Sequence, residues 1–174
     1  MSEIDKTILQ KFIQLASEKL EGEWLLIGGN VLPLLGVEYR TTMDIDFIGL
    51  GKKEQSQQLE LMKLAQELGL PAESINQAGL IFLERISDYA ENLVLIQERA
   101  SVRLYRPNSF LFLQLKVNRL SESDLSDCIE MIKISKKDEE AFLLSRSLSF
   151  FKKVLKKSKY PNRVQELIEL LEKH

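Results

Sequence analysis

One cysteine, one histidine and one tryptophan in 174 residues leave little room for several kinds of chemistry. Cys128, being alone, forms no internal disulfide and builds no thiolate zinc site. The only histidine is the last residue, His174. Neither a histidine metal site nor a Ser-His-Asp or Cys-His mechanism is therefore expected, because a chain end positions nothing. Glycine (8) and proline (4) are too scarce for a collagen-like or low-complexity chain. No apolar run approaches the ~18 residues that a membrane span needs. The opening Met1-Ser2-Glu3-Ile4-Asp5 is acidic, unlike the basic start of a secretory signal. A cytoplasmic protein with no membrane partner is expected. Chemistry, if any, falls to carboxylates, lysines, arginines and backbone groups.

What is present suits a folded domain. The chain is 44% hydrophobic and 29% charged, with a net charge of -2. Its length predicts one domain with a small appendage, able to bury about 70% of the surface its unfolded form exposes. The charge is unevenly spread. From Ala141 to Gln165 there is no Asp or Glu, but Arg146, Lys152, Lys153, Lys156, Lys157, Lys159 and Arg163 all fall there. Such asymmetry marks either a solvated helix face or a surface for an anionic partner.

Hydrophobic spacing orders the elements. Ile4, Ile8, Leu9, Phe12, Ile13, Ala16 and Leu20 form a helical stripe. Trp24 to Ile27 reads as a buried strand, Gly28-Gly29 as a turn, and 30–35 as a short helix. The spacing predicts a strand over 42–50 and a helix over 54–68 that Gly69 stops. It predicts three more strands over 80–85, 93–97 and 101–105, the last two forming a hairpin about Glu98-Arg99-Ala100. Pro107-Asn108-Ser109 opens a helix, and Ser121-Glu122-Ser123-Asp124 is a capping-box variant that opens another. Residues 136–155 continue in helical period, and Pro161 starts a final helix. Strands mixed with helices, then helices alone, predict an α+β fold. A small mixed sheet flanked by helices would occupy residues 1–120, with a helical extension over 121–174.

The segment that carries chemistry runs from Gly28 to Ile48. Asp44 and Asp46 are two apart on an apolar strand, so they would share a face. Two close carboxylates repel unless a cation lies between them, and such oxygen ligands suit Mg²⁺. Gly28-Gly29, between strand and helix, lets the backbone approach a phosphate. The plainer reading is a tight turn plus two surface acids.

Gly28-Gly29 followed by Arg40-x-Thr42-x-Asp44-x-Asp46 resembles the DNA polymerase β-type nucleotidyltransferase superfamily. In particular it resembles the bacterial Gly-Gly branch related to the minimal nucleotidyltransferases and the abortive-infection nucleotidyltransferase toxins. Leu113-Gln114-Leu115-Lys116-Val117-Asn118-Arg119, then Asp124-Leu125-Ser126-Asp127, is similar to a second block of that branch. The resemblance covers about residues 24–132. It implies a nucleotidyltransferase-like fold and transfer of a nucleoside monophosphate from a nucleoside triphosphate to a protein or RNA hydroxyl, in a toxin–antitoxin or phage-defence setting. It implies that Asp44 and Asp46 hold Mg²⁺ or Mn²⁺. Gly28, Gly29, Asn30, Arg40, Thr42 and Lys116 would contact the nucleotide.

Lys116 also reads as a surface lysine with its stem over apolar side chains, and Arg40 as a salt-bridge partner. Asp124 and Asp127 read as acids favoured in the first turns of a helix, with Arg119 as partner. The chain departs from the family in one respect. The strand Leu93-Val94-Leu95-Ile96 lacks the usual third carboxylate. Glu84 is one candidate for a third metal ligand, and Asp88 and Glu98 are others. The alternative is therefore a catalytically degenerate module that binds nucleotide, RNA or a partner protein. The basic helix over 146–163 is the expected contact for an acceptor, with tRNA a natural one.

Overall fold

Asp5 begins the first helix. Its side chain accepts the Ile8 N–H at 2.9 Å, which caps α1 (Lys6–Lys19). In the first unit there follow β1 (Gly22–Leu26), α2 (Val31–Leu34), β2 (Ile45–Gly49), α3 (Lys52–Gln55), α4 (Gln58–Glu67), β3 (Ile75–Asn76), α5 (Leu80–Leu83), β4 (Leu93–Arg99) and β5 (Val102–Pro107). The computed structural model describes residues 3–39 and 41–173. It divides into two compact units, Met1–Pro107 and Asn108–His174, ahead of the boundary expected after residue 120.

The five strands form a mixed sheet in the order β3-β2-β1-β5-β4. β1 pairs antiparallel with β2 and parallel with β5, while β2 is parallel to β3 and β4 antiparallel to β5. This is the expected α+β class. One face of the sheet carries Trp24, Leu26, Ile45, Phe47, Val102 and Leu104, which cluster with Leu9, Phe12, Ile13 and Ala16 of α1 and Leu61, Leu64 and Ala65 of α4. Phe47 is its hub. Its ring stacks on Trp24 at 5.0 Å between centroids and meets Phe12 edge-on at 4.9 Å. Burying each such side chain is worth about 1.5–3 kcal/mol.

Helix α4 ends as the sequence predicts. Gly69 has φ +70°, the Leu70 N–H bonds the Ala65 carbonyl at 2.9 Å, and the Gly69 N–H bonds Gln66 at 3.0 Å. Together these make a Schellman stop.

Four sequence expectations are corrected. The strand expected over 42–50 is only Ile45–Gly49, because the Thr42 hydroxyl bonds the Asp44 carbonyl at 3.1 Å and closes a bend ahead of it. The helix expected over 54–68 is split into α3 and α4. The Ser56 hydroxyl and the Gln57 amide both take the Lys53 carbonyl, at 2.7 and 3.4 Å, which ends the first piece. Residues 80–85 are not a strand but the single helical turn α5 and its end. Asn76 turns the chain by accepting the Ala78 N–H at 3.0 Å, and the Gln77 side chain bonds Gly49 N–H and the Gln55 carbonyl, both at 3.0 Å. The strand ladder stops there. The helix expected over 136–155 breaks at Asp138–Glu140, where Glu139 has φ +57°.

The second unit consists of α6 (Ser109–Val117), α7 (Glu122–Lys137), α8 (Ala141–Val154) and α9 (Pro161–Glu172). Asn108 caps α6 through the Leu111 N–H at 2.9 Å. Ser121 and Asp124 form the expected capping box on α7. Helix α6 is apolar around most of its circumference, with Phe110, Leu111, Phe112, Leu113 and Val117 all buried, as a central helix should be. Arg163 of α9 bonds the Leu120 carbonyl at 2.7 Å and so secures the turn between α6 and α7. Among the described residues, no helix is long and apolar enough to cross a membrane.

Candidate functional site

Strand register builds the site in the first unit. Leu26 pairs with Phe47, and the Ile27 N–H carries the ladder one step further to the Asp46 carbonyl at 2.9 Å. Gly28, the next residue, is thereby set beside Asp46. It has φ +71°, a left-handed conformation that glycine takes without a steric penalty. A Cβ placed there would lie 2.3 Å from the Asp46 Oδ2. The glycine bend and the strand acid are thus in direct contact. Asp46 alternates with Ile45 and Phe47, so it stands on the sheet face turned away from α1 and α4, and it is half-buried.

Asp44 is exposed and precedes the strand, in the bend closed by Thr42. The expected pair on one strand face is therefore one acid in the strand and one at the bend before it. Asn30 links that bend to the glycine turn. Its Nδ2 donates to the Asp44 carbonyl at 3.1 Å and to the Ile27 carbonyl at 3.4 Å. Asn30 is 0% exposed, so its expected role in touching nucleotide gives way to a brace that holds the Asp44 bend to the glycine turn. Its Oδ1 is buried without a hydrogen bond, a cost of about 1–3 kcal/mol. Gly28 and Gly29 form one short 3₁₀ turn with Asn30 and are half-buried. Thr42 spends its hydroxyl on the bend.

Arg40 lies outside the described residues. Glu84 is exposed at the end of α5. Among the described residues, no group of three or more His, Cys, Asp or Glu is placed to hold a metal, so Glu84 does not join Asp44 and Asp46. What this arrangement offers a divalent cation is the Asp46 carboxylate beside the Gly28 backbone, with the exposed Asp44 in the bend before it. Mg²⁺ commonly takes one or two carboxylates and completes its shell with phosphate and water.

Lys116, expected to reach a phosphate, is only 8% exposed and sits in a cluster within the second unit. Its ammonium bonds Asp124 at 2.9 Å and Asp127 at 2.7 Å. Arg119 grips Asp124 through two bonds of 2.7 Å, and the Ser121 hydroxyl and N–H bond the same carboxylate. Two cations balance two anions. Burial alone would raise the Asp124 carboxyl, but Arg119, Lys116 and Ser121 outweigh it and hold the group well below the usual carboxylate range. Cys128 lies fully buried near this cluster, and burial pushes its thiol well above the usual range. Lys116 is therefore neither the expected phosphate contact nor the expected surface lysine but the buried partner of two acids, while the plainer, structural reading of Asp124 and Asp127 with Arg119 as partner is the one this geometry favours.

The sequence reading missed an aromatic groove in the second unit. Phe142 is 73% exposed, and the Arg146 guanidinium lies 4.2 Å from the Phe110 ring centroid and 5.8 Å from that of Phe142. The signal was the helical spacing of Phe142, Ser145, Arg146, Ser149 and Lys153. It was hidden because Phe150 and Phe151 made a more obvious apolar face. The chain matches no family model, no curated protein and no solved structure among those compared.

Proposed function

We propose that the chain is a Mg²⁺- or Mn²⁺-dependent nucleotidyltransferase of the DNA polymerase β type. It would move a nucleoside monophosphate from a nucleoside triphosphate to a hydroxyl on a protein or RNA. The observation that carries the reading is the contact between the Asp46 carboxylate and the Gly28 backbone. Asp44 and Asp46 would hold the divalent metal, which would supply charge neutralisation at the phosphates. Gly28 and Gly29 lie along the triphosphate with no side chain in the way. The acceptor oxygen forms a bond to the α-phosphorus, the bond to pyrophosphate breaks, and the hydroxyl proton leaves to solvent. Asn30 ties the Asp44 bend to the glycine turn, which is the kind of positioning this chemistry needs. A toxin-like role in the cytoplasm belongs to the same reading, since a nucleotide added to an essential acceptor blocks it.

One observation favours a second reading, a module that binds nucleotide without turnover: the described residues offer no third acid beside Asp44 and Asp46. The test is incubation with α-labelled nucleoside triphosphates, Mg²⁺ or Mn²⁺, and total cellular protein or RNA. Label transfer lost in both Asp44→Asn and Asp46→Asn supports the enzyme. Metal-dependent nucleotide binding without transfer, lost in the same variants, supports the module. No nucleotide binding at all refutes both.

A further inference from the structure

We infer that the second unit carries a binding groove for single-stranded RNA, formed by α6 and α8. The groove has a volume of about 340 Å³ and is lined by Phe110, Phe142, Ser145, Arg146, Ser149 and Lys153, with Phe150 at its floor. Phe142, Arg146, Ser149 and Lys153 recur at intervals of three or four residues along α8, with Ser145 three after Phe142 and four before Ser149, so they share one helix face.

Three features point to RNA. The first is Phe142. A ring 73% exposed at the mouth of a groove is a stacking platform, and every base has a π-face to lay on it. Arg146, lying against Phe110 and within reach of Phe142, adds a flat cation to the same platform.

The second is charge. Lys153 lines the groove, and Lys156, Lys157 and Lys159 follow it in the chain; all four are exposed and, among the described residues, in no ion pair. Lys152 and Arg163 are spent on Glu172 and Glu122. Acids are absent from residues 141–165, so no carboxylate on that segment repels a phosphate backbone. The third is hydroxyl chemistry. Ser145 and Ser149 are exposed in the groove, and each hydroxyl can donate to or accept from a ribose 2′-OH, a group that DNA lacks. An acidic peptide would use the lysines, but it would leave the ring platform and the paired hydroxyls without a purpose.

This inference deepens the nucleotidyltransferase reading, on which it rests for RNA as the acceptor class, but none of its residues belongs to the Asp44–Asp46 site, so binding is measured separately from transfer. The experiment uses the full chain and fluorescence anisotropy of a labelled twelve-nucleotide oligouridine, with oligothymidine and polyglutamate as comparators. Oligouridine binds more tightly than oligothymidine, and polyglutamate does not displace it. Phe142→Ala weakens binding about tenfold, in line with the loss of one stacked base. Changing Lys153, Lys156 and Lys157 together to Ala lowers the slope of log affinity against log salt by about 2. Every altered side chain is exposed, and circular dichroism checks that the helices persist. Asp46→Asn leaves this binding unchanged, which separates it from any failure of the transfer assay. The inference is overturned if oligouridine does not bind, if Phe142→Ala binds as well as the parent, or if oligothymidine or polyglutamate binds as tightly.

Discussion

Gly28→Ala tests the contact on which the site depends, and Gly69→Ala supplies a matched control. The two glycines have nearly the same backbone angle, φ +71° and +70°. Forcing an L-residue into that region costs about 1–2 kcal/mol, so both variants lose about that much. They differ in what the new methyl meets. At Gly69 there is nothing within 4 Å, while at Gly28 it would lie 2.3 Å from the Asp46 Oδ2 and 3.3 Å from its Cγ. Relief requires the carboxylate to swing away, or β2 and the turn to separate where Ile27 bonds Asp46. Such a rearrangement costs about 1–3 kcal/mol more. Gly28→Ala should therefore cost about 2–5 kcal/mol against about 1–2 for Gly69→Ala. In the double variant Gly28→Ala/Asp46→Ala the crowding atoms are gone and only the Asp46 Cβ remains, at 3.6 Å, an ordinary contact. The double variant should recover at least about 1 kcal/mol, a coupling of the size seen between touching residues. Urea unfolding followed by Trp24 fluorescence measures all four corners of the cycle. Equal losses at Gly28 and Gly69, or a cycle with no coupling, would refute the claimed contact.

Other outcomes follow from the second unit. Lys116→Ala removes the ammonium that both Asp124 and Asp127 bond, and should destabilise the unit by about 3–5 kcal/mol, read from amide exchange in α7. A loss under 1 kcal/mol would show that the buried cluster is not held by its charges. Acidification has a definite sign. Asp124 is depressed in the fold, so its contribution is complete above the unfolded value of about 4 and is lost as the pH falls through the folded value. Protection of α7 should decline below about pH 4, and Asp124→Asn should flatten that decline. Ser121→Ala removes one half of the capping box and a bond to Asp124, and should cost about 1–2 kcal/mol by the same measurement.

Much of the fold was legible because the local signals were self-sufficient. Gly69 stops α4, and Ser121 with Asp124 starts α7, by bonds made within a few residues of each signal. The continuous apolar run Trp24 to Ile27 marked β1, and the short runs over 93–97 and 101–105 marked the hairpin of β4 and β5. The apolar run Leu80-Ile81-Phe82-Leu83 misled because periodicity cannot separate a short strand from a helical turn. The deciding bonds came from Gln77 to Gly49 and Gln55, more than twenty residues away. The site was legible as composition and spacing, Gly28 through Asp46. That Asp46 touches Gly28 depends on β1 and β2 register, which no local pattern states. Asn30 was expected to touch nucleotide because the family resemblance implies it; its complete burial arises from packing that brings the Asp44 carbonyl to it. Lys116 was likewise decided by its partners, since Asp124 and Asp127 come round on a different helix.

The lone thiol gives the second unit an internal clock. Cys128 has no exposed surface, and its environment keeps it in the unreactive protonated form. An alkylating reagent can therefore modify the native chain only during moments when α7 lifts from its neighbours. With no other thiol to compete, the modification rate counts those openings one molecule at a time, and divided by the rate for the unfolded chain it yields their equilibrium frequency.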